Sequence, residues 1–162
     1  MAFVKKKDAL TERQQLDLFI DRYTPEVAAE GRAVLARMRE PLPGATQLVY
    51  DNYNGLVVGF GEREKPSEAV FSVVLFPRWV TLFFLQGARI PDPAGLLRGG
   101  GNQVRHVRLK QASDLDAPEL RALMDMALES AGWSPDASAK GALVIRSVSA
   151  KQRPRTPPRA SG

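Results

Sequence analysis

The chain contains no cysteine and only one histidine, His106, in 162 residues. The first absence excludes thiolate nucleophiles, thiolate zinc sites and iron–sulfur ligation. The second leaves imidazole chemistry a single candidate. His106 stands among cations in Arg105-His106-Val107-Arg108-Leu109-Lys110, with no Asp, Glu or Cys at metal-ligand or catalytic spacing, and reads as an exposed strand residue. Long apolar runs are also missing. The longest, residues 69–85, is broken by Pro77-Arg78 and falls short of the ~18 uncharged residues of a membrane span. The start, Met1-Ala2-Phe3-Val4-Lys5-Lys6-Lys7-Asp8, is basic but leads into no apolar signal region, so the cytoplasm is the expected compartment.

Acid is missing from both ends. Nine of the 23 cations lie in residues 1–7 and 137–162, where there is no Asp or Glu; residues 8–136 hold 14 cations against 18 acids, a net of −4. A field that attracts polyanions is therefore expected from the ends rather than from the body. Hydrophobic residues make up 44% of the chain. At this length one domain buries roughly 70% of the surface of its unfolded chain, enough to fold without metal or disulfide.

Thr11-Glu12-Arg13-Gln14 has the form of a capping box, and Leu16, Phe19, Ile20 and Tyr23 repeat at helical spacing behind it. Thr24-Pro25 starts a second helix whose inner face holds Val27, Gly31, Val34, Leu35 and Met38. Gly31 on that face predicts close approach of another element. From Gln47 the period becomes that of strands: 47–50 and 56–60 around the turn Asn52-Tyr53-Asn54-Gly55, then 69–76 and 79–85 around Pro77-Arg78, then 103–110. Leu115-Asp116-Ala117-Pro118-Glu119-Leu120 opens a third helix, with Asp116 as the expected cap, and Gly132 ends it. A sixth strand is expected over 142–148. The fold predicted is α+β: an antiparallel sheet of five to six strands, with two N-terminal helices and one C-terminal helix packed on one face. The domain spans 10–148, between a basic arm at 1–9 and a basic, proline-rich tail at 149–162. The tail has no large apolar residue and is expected to be disordered. Deleting 151–162 would then change stability by no more than about 0.5 kcal/mol.

Four blocks carry a family resemblance: Tyr50 to Leu56, Pro77 to Leu85, Gly87 to Asn102, and Ile145 to Pro154. Over roughly residues 10–155 the chain resembles the YdhG-like family, bacterial domains of largely unknown function. The resemblance implies an antiparallel sheet flanked by helices. It also implies a likeness to frataxin, for which iron delivery has been suggested. Iron binding of that type uses a crowded acidic ridge; here Asp17 and Asp21, one helical turn apart, are the candidate metal ligands, interrupted by Arg13 and Arg22.

The most distinctive segment is the 17-residue stretch from Gln86 to Asn102, with five glycines and two prolines. No Gly-Lys-Ser/Thr follows it and a strand rather than a helix comes next, so it is neither a Walker loop nor a dinucleotide fingerprint. Loops of this length are often functional. Gly99, Gly100 and Gly101 expose backbone amides, and Arg98 and Arg105 flank them, an arrangement suited to a small anion. The expected function is that of a cytoplasmic, non-enzymatic binding or accessory module with an anion-accepting loop at Arg98, Gly99, Gly100, Gly101 and Arg105. No cofactor is expected beyond iron in the frataxin-like alternative, and the other alternative is nucleic-acid association through the basic termini.

Overall fold

The computed structural model describes residues 9–158. Thr11 caps helix α1 (Glu12–Ile20): its side chain accepts from the Gln14 amide, and the Gln14 side chain accepts from the Thr11 amide. Thr24 caps α2 (Pro25–Arg39) by accepting from the Val27 amide, with Pro25 at the first helical position. The chain then forms a meander: β1 (Thr46–Asp51), β2 (Leu56–Gly61), β3 (Phe71–Leu75), β4 (Val80–Phe84) and β5 (Arg105–Leu109). Helix α3 (Pro118–Ala131) and strand β6 (Leu143–Val148) complete it. Asp116 does not cap α3. It lies in a preceding 3-10 turn, Ala117 takes the cap position, and the Asp116 carboxylate pairs with Arg37 and Arg121 instead.

The strand order is β5-β4-β3-β2-β1-β6, and five strands pair antiparallel. The expectation of a wholly antiparallel sheet is corrected at β6, which pairs parallel to β1. The cause is the route that the chain takes after α3. Residues 132–142 return beside the start of β1, where the Gln47 amide donates to Ala142, so β6 begins there and runs the same way. The sheet is therefore mixed.

Alternation gives the sheet two different faces. Val49, Leu56, Val58, Phe60, Phe71, Val73, Leu75, Val80, Leu82 and Phe84 are each 0% exposed and join buried residues of all three helices in one core. Leu48, Ser72, Val74 and Thr81 point the other way and lie outside that core. Gly31 permits the closest approach of α2 to the sheet, since a Cβ there would come within 2.6 Å of Leu75 Cδ2.

Tyr23, 4% exposed, pins the end of α1 to the sheet: its hydroxyl donates to the Leu75 carbonyl and accepts from the Leu56 amide, both at 3.0 Å. Burial pushes its phenol up to about 12. An unfolded tyrosine ionises near 10. The stabilising contribution is thus fully present below pH 10 and is lost as the pH rises from about 10 to 12, on the order of 2 kcal/mol in all. Urea unfolding from pH 9 to 12 should show this loss, and Tyr23→Phe should abolish the part of the slope that is due to Tyr23.

Residues 149–158 are not a free extension, contrary to the expectation for the tail. They run back across the β1–β2 turn, where the Ser149 amide donates to Asp51 and the Arg153 amide to Tyr53. Arg155 is 4% exposed and pairs with the buried carboxylate of Asp51 at 2.8 Å. The basic arm expected at 1–9 lies outside the described residues except for Ala9, as does Arg159 of the tail.

Candidate functional site

The Gln86–Asn102 stretch crosses from β4 to β5 in two parts. Its first part is a 3-10 turn, Gly87–Arg89, held by hydrogen bonds from Ala88 to Gln103 and from Ile90 to Gly87. Its second part is pinned by Asp92, whose carboxylate accepts the Leu96 and Leu97 amides at 2.9 and 2.8 Å, and by paired backbone bonds between Arg98 and His106. Across this bridge Arg98 pairs with His106, not with Arg105. The Arg98 and Arg105 guanidinium groups donate to the backbone carbonyls of Gly95, and of Gly101 and Val104, rather than to any acid. Gly99 adopts φ 120°, and a Cβ at Gly100 or Gly101 would meet nothing within 4 Å. Gly100 and Gly101 therefore lie over open space, whereas a Cβ at Gly99 would meet Val104, Arg105 and His106, and none of the three principal cavities includes these glycines.

Asp17 and Asp21 do come together, but around a protein cation. Arg32 of α2 reaches both carboxylates at 2.6 Å, and those hydrogen bonds hold its guanidinium above its ordinary range. Iron at this pair would have to displace Arg32. Among the described residues no group of three or more His, Asp or Glu side chains is placed to share a metal ion. Next to this pair, a cavity between α1 and α2 holds Arg13 and Arg39, and burial pushes the Arg39 guanidinium down, with Arg13 adding to the effect. His106 is half-buried rather than exposed and packs against Phe83, with ring centroids 5.4 Å apart and planes tilted by 42°.

The long loop does line a cavity, through Gln86, Arg89 and Ile90 rather than through its glycines. This cavity, of about 320 Å³, lies between the β2–β3 connection, the end of β4 and the C-terminal end of α3. Its floor is apolar: Val70, Phe84, Ile90, Ala127 and Trp133 are all 9% exposed or less. Four charged side chains ring it. Arg63 and Glu68 satisfy each other through two bonds of 3.0 and 3.1 Å, which raises the Arg63 pKa and lowers that of Glu68. The other two, Arg89 and Glu62, have no ion-pair partner among the described residues. A floor built from side chains and a rim with one unpaired charge of each sign form a concave site whose surface is about equally apolar and polar.

Sequence patterns carried only partial signals for this site. Glu62, Arg63 and Glu68 read as ordinary mixed charge of a hairpin turn, and Arg89 stands in the 86–102 loop, but nothing in the chain links either to Trp133. No family model, no curated protein and no solved structure matches the chain. The likeness to YdhG-like proteins thus rests on the four sequence blocks alone. No described helix is long and apolar enough to cross a membrane.

Proposed function

We propose that the protein is a non-enzymatic binding module of the cytoplasm, with its three helices on one face of the sheet as in the YdhG-like reading. Its ligand is a small zwitterion with an apolar body, of the kind represented by a branched or aromatic amino acid. The observation that carries this is the pairing at the cavity mouth. Arg63 and Glu68 neutralise one another, which leaves one guanidinium, Arg89, and one carboxylate, Glu62, over an apolar floor. The complement of that arrangement has a carboxylate for Arg89, an ammonium group for Glu62 and a hydrocarbon side chain for Trp133, Ile90 and Val70. Arginine suits a carboxylate because its planar fork can donate two parallel hydrogen bonds. The proposal keeps the anion-accepting role of the 86–102 loop and assigns it to Arg89 instead of Arg98 and Arg105.

Trp133 is both part of the floor and a reporter. In a Trp79→Phe variant it is the sole tryptophan, and phenylalanine or leucine should change its fluorescence saturably. Phenylpropionate, without the ammonium group, and phenethylamine, without the carboxylate, should each bind more weakly. Arg89→Ala should cost about 1.5–3 kcal/mol of the phenylalanine affinity, the range for a hydrogen bond to a charged group, while the melting temperature stays unchanged because Arg89 is exposed. Equal binding of all three probes would reject the zwitterion assignment.

A further inference from the structure

A different part of the molecule combines the exposed Trp79 ring and two half-buried rings with unpaired cations. Residues 78–110 hold six Arg or Lys and one acid, a bias hidden in the net charge of the body. The structure gathers five of these cations, Arg78, Arg98, Arg105, Arg108 and Lys110, on or beside β5, the edge strand, and none has an ion-pair partner among the described residues. The two acids between residues 78 and 115 are occupied: Asp92 with the Leu96 and Leu97 amides, Asp114 with the Lys110 and Gln111 amides.

The aromatic rings share a sheet face with Arg108 and Lys110, whereas Arg105 pairs with Phe84 and takes a core-side position. Phe83 and His106 are direct cross-strand partners, as are Thr81 and Arg108, on the face turned away from the core. Trp79 lies two residues before Thr81 and is 37% exposed, and the Arg108 guanidinium stacks over its ring at 4.2 Å. Trp79 and Arg78 also line an apolar groove of about 680 Å³, together with Phe76, Arg153 and the prolines of the docked tail.

We infer that this face binds single-stranded nucleic acid. Cations along an edge strand suit a phosphate backbone, and flat rings between them suit unstacked bases, which a duplex does not offer. Anionic protein surfaces and membranes use the cations but give the rings nothing to stack on. The nucleic-acid alternative thereby moves from the basic termini to β4 and β5. The tail's Arg155 is unavailable for phosphate, because Asp51 holds it in the interior.

The test is fluorescence anisotropy of the full chain with a labelled ten-nucleotide single strand, set against a duplex of the same sequence and against heparin. The single strand should bind best, and the logarithmic salt slope should not exceed about 2.8, at ~0.7 per cation for the four cations other than Arg105. Trp79→Ala should weaken binding roughly 5- to 150-fold, the equivalent of one base stack. Arg108→Gln should lower the salt slope by about 0.7. Unchanged melting of both variants shows that the fold is intact. No single-strand binding at 50 mM salt would overturn the inference. So would equal binding of heparin and single strand with Trp79→Ala indifferent, since that describes charge attraction alone. Trp133→Phe should leave this binding unchanged, which separates it from the cavity.

Discussion

Replacing Arg155 by alanine is expected to destabilise the protein by about 3–5 kcal/mol, the cost of leaving a buried charge without its partner. Asp51 is 1% exposed, at the inner-face end of β1. Arg155 reaches it with Nη2 and also donates to the carbonyls of Asn52 and Tyr53, so the β1–β2 turn is tied to the tail at three points. Arg22 approaches the other carboxylate oxygen at 3.2 Å, but it is half exposed and shares its Nη1 with Gln152. It cannot compensate for Arg155 from there. The Arg155 Nε has no partner, so part of the gain is already offset by one unsatisfied donor. Removing residues 151–162 should cost a comparable amount, and the double variant Asp51→Asn, Arg155→Met should cost less than the two single changes together. Urea midpoints compared at equal slope measure all five variants. A change within about 0.5 kcal/mol for the truncation would mean that the tail is a free extension after all.

The second large effect is expected at Gly44. Its φ of 75° lies in the left-handed region, and a Cβ there would overlap the Asp136 carbonyl oxygen while meeting Ala139. Gly44→Ala therefore carries the left-handed penalty of roughly 1–2 kcal/mol plus overpacking of roughly 1–3 kcal/mol. Both neighbours belong to the segment that delivers β6 to the edge of β1, so displacing them should also loosen the β1–β6 pairing. A total loss of about 2–5 kcal/mol on urea unfolding is expected, with faster amide exchange concentrated in Leu143–Val148. A loss spread evenly over all strands, or none, would contradict this.

Where the chain carried local signals, the sequence was legible. Thr11 and Thr24 fix two helix starts, Asn52 to Gly55 and Pro77-Arg78 fix two hairpins, and the two-faced apolarity of β3 and β4 marks the centre of the sheet. The parallel pairing of β6 was hidden because its partner lies about 95 residues earlier, and nothing in Leu143 to Val148 encodes strand direction. The docked tail was hidden for a related reason. Composition measures apolar content, whereas Arg155 is held by charge and by carbonyls that only the folded β1–β2 turn assembles. Gly100 and Gly101 lie over open space rather than in a concavity, and the cavity depends on side chains brought together from four elements.

The most direct test of the cavity as a ligand site is amide chemical-shift mapping by NMR of the full chain titrated with phenylalanine. Perturbations should cluster at residues 62, 67–70, 84–90, 127–133 and nowhere on β5 or β6, and Ala127→Trp, which fills the floor, should abolish them. No saturable shift in those segments at millimolar phenylalanine, or shifts that persist unchanged in Ala127→Trp and Arg89→Ala, would contradict the account.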